Sequence, residues 1–389
     1  MDRPLKGTPR VKVAVTRGAT RREAVAQALA LIADDVRNVV TRDVLIKPNL
    51  VSHRFQPPST HVDTFSATLD AVFAGGARNL TVAEGASDAT AGFDRFGFTR
   101  EAEGLPVRFM DLNRDETDWE MLTLTGVDGT RRDARVSATV AGSECRVSLA
   151  LAKTHVTAMV TLSLKNMLSS IHPSDRVMMH GHAGGGNGYH GWKRLAVEFL
   201  KGDNLAVRAL TRLMGRVRNG RNVCRELALG RERRISDLST AELGYLRSVD
   251  AMNRNLAALA GRTKPHLSVV DGFVGMHREG PRHGTPIALR TVIAGTDAVA
   301  VDAVAAAVMG FDPSLIGYLV YAEAAGLEPP TSTRSRSWAS RSRRSGGVAC
   351  LIRDHPVQKL WPQLGRPALR ARTSRSPPRR NGSLKGRCS

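Results

Sequence analysis

The run Arg146–Ala152, RVSLALA, narrows the fold more than any other segment. Its apolar residues are almost uninterrupted, so a strand here has to be covered on both faces. That favours a parallel sheet sandwiched by helices over an antiparallel sheet with one wet face. The chain around it supplies alternating strands and helices. An alternating strand, Val11–Thr16, precedes a helix from Thr20, where Thr20 and Glu23 have capping-box spacing and Val25, Leu29 and Ile32 share one face. VLIKPN reads as a short buried strand stopped by Pro48, and a helix over Asp63–Ala74 leads into the strand LTVAEG. Further strands are expected at Leu267–Phe273 and Leu289–Gly295, and a helix at Asp297–Gly310. Strands separated by helices at this spacing predict an α/β fold, a mainly parallel sheet flanked by helices. Residues 188–262 read as helical throughout, a helical insertion within a domain spanning 1–330.

Function classes narrow once charge is located. The 389 residues carry a net charge of +21, which invites a nucleic-acid reading. Residues 331–389 alone hold thirteen arginines, two lysines and one aspartate, leaving a body that is only mildly basic. That tail is rich in Arg, Ser, Pro and Gly without sustained periodicity, so it is expected to be disordered. It suits an electrostatic arm for nucleic acid, or an out-of-frame translation, since the composition switches abruptly after Gly326–Leu327. The body has few aromatics to stack on bases. No apolar run reaches the roughly 18 residues of a membrane span, and the N-terminus has no apolar signal core, so a cytoplasmic protein is expected. Cys145, Cys224, Cys350 and Cys388 are scattered, which suggests neither an iron–sulfur ligand set nor a disulfide framework.

The strand ends carry the chemistry. VLI runs into Lys47 and Asn49, LTVA into Glu84, VSLALA into Lys153 and His155, LSVV into Asp271, and RTVIAG into Asp297. Open α/β sheets bind ligands beyond the carboxyl ends of their strands. A single polar residue there commonly just begins a solvated loop, but here five strands agree. Lys165 and Asn166 follow closely after Lys153 and His155, a set of cations and hydroxyls suited to a carboxylate or phosphate. A partly desolvated lysine beside another cation can also act as a base or as an imine-forming nucleophile. The glycine-rich loop Met178–His190 brings His180, His182 and His190, which with Asp175 would suit a divalent metal, although a loop fixes little geometry. It lacks a Walker lysine and does not follow a clear strand, which excludes a P-loop. A second glycine-rich stretch holds Asp271, His277, Glu279 and His283. Asp297 is placed to cap the following helix. Asp302 lies among alanines and valines and needs a partner, for which Lys47 or Lys153 is the candidate.

The segments VLIKPNLV, LTVAEG, LALAKTHVTAMVTLSLKNMLSSI, LSVVDGFVGM and IAGTDAVAVDAVAAAVMGF resemble, in that order, the domain of unknown function 362 family, over about residues 40–327. The resemblance implies an α/β fold and an undefined enzymatic or ligand-binding role. Some relatives append a four-cysteine iron–sulfur segment; this chain has none, so no cluster is carried over. Relatives also continue in ordinary globular sequence where this chain enters its Arg/Ser tail.

Three readings follow. The first is an enzyme or binding protein for a small anionic molecule. Lys153, His155 and Asp271 would be catalytic, and Lys47, Asn49, Glu84, Lys165, Asn166, His180 and Asp302 would bind the ligand, with or without a divalent metal. The second is nucleic-acid binding through the tail. The third is a redox-associated module, which follows from the iron–sulfur relatives.

Overall fold

A computed structural model describes residues 11–115, 118–183, 232–278, 280–327 and 355–364, with a few positions between 207 and 217. Eleven strands are described: β1 (Val13–Thr16), β2 (Asp43–Lys47), β3 (Asn79–Glu84), β4 (Val107–Asp111), β5 (Trp119–Thr125), β6 (Arg131–Ser137), β7 (Cys145–His155), β8 (Met159–Thr161), β9 (Leu267–His277), β10 (Thr285–Ile287) and β11 (Thr291–Gly295). The helices that position the site are α1 (Arg21–Leu31), α2 (Ala33–Val39), α3 (Val62–Ala74), α4 (Ala89–Arg95), α5 (Phe98–Glu101), α6 (Ala138–Ala141), α7 (Ser163–Asn166), α8 (Thr240–Thr263), α9 (Ala298–Val308), α10 (Gly317–Ala324) and α11 (His355–Gln358).

The main sheet has the order β1-β11-β9-β7-β2-β3-β4, with β10 added to β9 and β8 to β7. The pairs from β9 through β7, β2 and β3 to β4 are all parallel. Side chains alternate between its faces, as the two-residue period of a strand requires. Val147, Leu149, Leu267 and Val269 meet α1 and α3 in one core. Ala150, Ala152 and Val270 join Leu256, Val301 and Tyr318, from α8, α9 and α10, in the other. A separate hairpin, β5-β6, adds Leu122, Leu124, Ala134 and Val136 to the second core. The expected mainly parallel sheet flanked by helices is therefore what the chain forms.

Local signals read from the sequence account for several boundaries. Thr20 and Glu23 form the reciprocal capping box of α1, and Asp297 caps α9 by accepting from the Ala300 amide at 2.8 Å. Helix α8 opens on the Ser239–Glu242 capping box. Among the described residues no helix is long and apolar enough to cross a membrane.

Three expectations need correction. Strand β11 runs antiparallel to β9, so its carboxyl end, and Asp297 with it, lies at the opposite edge from the ends of β2, β3 and β7. Among its described residues the stretch between β9 and β11 carries no helix to serve as a crossover, and without one the chain returns antiparallel. Asp271 is not at a strand end, because β9 continues to His277. Residues 355–364, expected to be disordered with the rest of the tail, pack into the core. Val357, Leu360 and Trp361 are buried there with Trp361 only 1% exposed. Its indole donates to the Leu315 carbonyl at 2.7 Å. The spacing of Val357, Leu360, Trp361 and Leu364 is that of one helical face, hidden by the Arg/Ser composition on either side. The remainder of 331–389, and most of the expected helical insertion 188–262, lie outside the described residues. The described part of that insertion, α8, packs directly into the second core.

Candidate functional site

Two features open the sheet at the ends of β2, β3 and β7. Strand β7 outruns β2, and its register with β9 slips between Leu151, opposite Asp271, and Lys153, opposite Met276. The chain then turns back as β8, pairing Lys153 with Thr161 and His155 with Met159. Met159 takes a left-handed backbone at φ 62° to make this turn, an unfavourable conformation for a residue with a Cβ. Across from it, Arg278 is also left-handed at φ 68°, and its carbonyl accepts from the Thr154 hydroxyl at 3.0 Å.

Lys47 and Glu84 meet at the ends of β2 and β3 as a fully buried ion pair, Nζ to Oε1 at 3.0 Å. Glu84 is saturated: it also accepts from the amides of Gly85, Ala86 and Leu50 and from the Ser169 hydroxyl. Burial alone would raise its carboxyl, but Lys47 and these donors outweigh it and hold the group below the usual carboxylate range. Burial lowers Lys47 while Glu84 pulls it back up.

Beside this pair runs a chain of amides and hydroxyls. Lys153 Nζ donates to Asn49 Oδ1 at 2.6 Å and to the Pro58 carbonyl at 2.7 Å. Asn49 Nδ2 donates to Asn166 Oδ1 at 2.9 Å, and Asn166 Nδ2 to the Lys47 carbonyl and Ser148 Oγ. Helix α7 thereby ties Lys47, Asn49 and Lys153 together through Asn166. The preceding residue, Lys165, is different. It is 8% exposed, and among the described residues its ammonium has no hydrogen bond or ion pair. Burial brings it down to about 8.

The positive charge of Lys165 is felt at Lys153, His155 and His180, which places the four in one cluster. Burial, and then Lys165, hold Lys153 well below its ordinary value, with Arg282 and Lys47 adding to the effect and Glu84 opposing it. Burial followed by Lys165, His180 and Lys153 keep His155 well below 6.5. His155 Nδ1 accepts the amides of Thr157 and Ala158 at 3.1 and 3.2 Å, so the neutral ring carries its proton on Nε2. His180 falls to about 3 through burial, Lys165 and His182. The core segment 355–364 reaches this cluster too, because Gln358 Nε2 donates to the His155 and Val156 carbonyls.

Seven of the ten residues singled out from the sequence, Lys47, Asn49, Glu84, Lys153, His155, Lys165 and Asn166, thus gather around the ends of β2, β3 and β7. His180 joins them from the glycine-rich loop. Asp271 and Asp302 do not. Asp271 points toward α1 and α3, where it pairs with Arg21 at 3.0 Å and accepts from Thr64 at 2.7 Å. Asp302 has no lysine partner, contrary to expectation. Its oxygens accept the Ser163 and Leu164 amides, at 2.7 and 3.0 Å, and the Tyr318 hydroxyl at 3.1 Å. The carboxylate holds the start of α7, and burial raises it to about 7. Arg282 was missed by sequence reasoning. It sits in the second glycine-rich stretch, whose histidines and acids drew attention instead, and it donates to the Val51 carbonyl at 2.7 Å.

Among the described residues no group of three or more His, Cys, Asp and Glu side chains is disposed to hold a metal. Asp175 is engaged by Arg135 at 2.9 Å, while His190 and Glu279 lie outside the described residues.

The sheet order and its layers define an α/β protein with a polar, cation-rich cluster at the carboxyl ends of adjacent parallel strands. The family model "Domain of unknown function (DUF362)" matches residues 44–307, and the chain belongs to that family. No curated protein matches it. Among solved structures, the lactate racemase apoprotein from Thermoanaerobacterium thermosaccharolyticum is 15% identical, with a TM-score of 0.32. That match covers 44% of this chain and 42% of the other.

Proposed function

We propose that the cluster at the ends of β2, β3 and β7 binds a small anionic molecule, and that Lys165 is its chemically labile group. The observation that carries this reading is the pair of buried ammonium groups, Lys153 and Lys165, with no carboxylate paired to either among the described residues. Burying an uncompensated cation is costly, and a bound anion would offset that cost. Lys153, fixed by Asn49 and Pro58, would orient the ligand. His155 would donate from Nε2, since Nδ1 is occupied by backbone amides. Lys165, at about 8, exchanges a proton near neutral pH in the empty site, and a bound anion would hold it charged. The left-handed Met159 and Arg278 are further support, since backbone strain concentrates at functional sites.

The reading is tested by thermal melts of the purified full-length chain with a panel of phosphates and carboxylates at millimolar concentration. The expected result is an upward shift with at least one anion, lost in Lys153→Met. A folded protein whose melting temperature responds to none of them overturns the proposal.

A further inference from the structure

The chemistry of the cluster also constrains the charge of its ligand. Among the described residues the charged groups that retain hydrogen-bonding capacity are donors, beside two uncharged oxygens without a partner, Thr161 Oγ1 and Gln358 Oε1. Lys165 keeps every ammonium proton, Lys153 keeps one beyond those given to Asn49 and Pro58, and His155 keeps its Nε2 proton. The nearby carboxylate, Glu84, is paired with Lys47 and makes no hydrogen bond to the lysines of β7 and α7. Its oxygens are already taken by Lys47, Ser169 and three backbone amides. Asp302 and Asp271, the other buried carboxylates near the sheet, are held by α7 and Tyr318 in one case and by Arg21 and Thr64 in the other. Among the described residues two buried ammonium groups therefore stand without a hydrogen-bonded carboxylate, Glu84 acting on Lys153 only through its field.

We infer that the site takes a dianion, a phosphate-type group or a dicarboxylate, with Lys153 and Lys165 as its two counter-charges. This rests on the anion-binding reading above and makes it sharper. A monoanion would leave one ammonium buried and uncompensated.

The test is titration calorimetry of the full-length chain at constant ionic strength with three probes: sulfate, malonate and acetate. Sulfate or malonate is expected to bind at least tenfold more tightly than acetate. Preference for sulfate identifies a phosphate-type ligand and preference for malonate a dicarboxylate. The discrimination should fall below about threefold in Lys165→Met. An independent measurement avoids reliance on that variant. At pH 8, dianion binding in buffers of different ionisation enthalpy should show proton uptake, because the anion holds Lys165 in its charged form. Acetate binding as tightly as both dianions overturns the dianion inference while leaving an anion site. Absence of proton uptake, or a preserved preference in a folded Lys165→Met, overturns the role of Lys165. Failure of all three probes on folded protein overturns the anion site itself.

Discussion

Lys47 and Lys165 are the same kind of side chain, both buried at the carboxyl end of one sheet, yet their surroundings are opposite. Lys47 is wholly enclosed, but it faces Glu84 at 3.0 Å, and Glu84 is in turn held by hydroxyl and amide donors. Lys165 sits a few residues from the same network with no counter-charge among the described residues and other cations close by. The first arrangement is complete within the protein. The second would be completed by the anion proposed above. Residue type and burial therefore do not tell a structural lysine from a functional one; the partner does.

The same substitution at the two positions should move stability in opposite directions. Lys47→Met removes one member of a buried pair and strands the Glu84 carboxylate, so a loss of about 3–5 kcal/mol is expected from urea denaturation. A loss below about 1 kcal/mol would show that Glu84 is compensated without Lys47 and would erase the distinction.

Lys165→Met should instead stabilise the folded protein at pH 7, by about 1–3 kcal/mol, because it removes a buried charge that has no partner. The pH dependence fixes the sign. Lys165 falls from an ordinary 10.5 to about 8 on folding, so between those values the unfolded chain binds the proton that the folded one has released. Wild-type stability therefore rises across that window. The penalty of the charged lysine is fully present below pH 8 and absent above pH 10.5, and the advantage of the variant should fade over the same range. An unchanged advantage at pH 10.5 would point to packing rather than charge.

The buried carboxylates extend the contrast. Glu84 faces a cation and is held below its usual range, whereas Asp302 faces only neutral donors and is raised to about 7. Asp302→Asn keeps an acceptor for only one of the Ser163 and Leu164 amides and should cost about 1–2 kcal/mol at pH 5. The contribution of a carboxyl raised on folding is complete below its unfolded value of 3.8 and is lost as pH rises through about 7. The gap between wild type and variant should accordingly narrow toward pH 8. A gap that stays constant from pH 5 to 8 would mean that Asp302 is ionised throughout and belongs with Glu84.

How much of this could be read in advance follows from what each residue depends on. Lys47, Glu84 and Lys153 were legible because a short apolar run ending in a polar residue marks a parallel strand and its carboxyl end at once. The Asp297 cap and the Thr20–Glu23 box were legible because they are local. Strand direction is not local. Nothing within Leu289–Gly295 says that β11 runs antiparallel; only the missing crossover helix before it does. Asp302 was matched to the wrong partner because apolar neighbours announce a need for compensation without naming its source, and backbone amides leave no mark in composition. The helical face of Val357, Leu360 and Trp361 was masked by averaging over an Arg/Ser-rich window. Lys165 was singled out, but its want of a partner is a property of the fold and could not be seen in the sequence.

The smallest effect tests the uncommitted region without perturbing it. With two amides donating to Nδ1, His155 should appear in long-range nitrogen–proton spectra as the neutral ring protonated on Nε2. Burial and the nearby charge of Lys165 should keep it so as the pH is lowered well past 6.5. A bound anion partly cancels the field of Lys165, so adding one should bring the His155 titration upward while leaving exposed histidines unmoved. Titration of His155 near 6.5 in the free protein would break the comparison from the other side. It would mean that the positive field around Lys165 is already cancelled within the chain, and that this region is as complete as the one around Lys47.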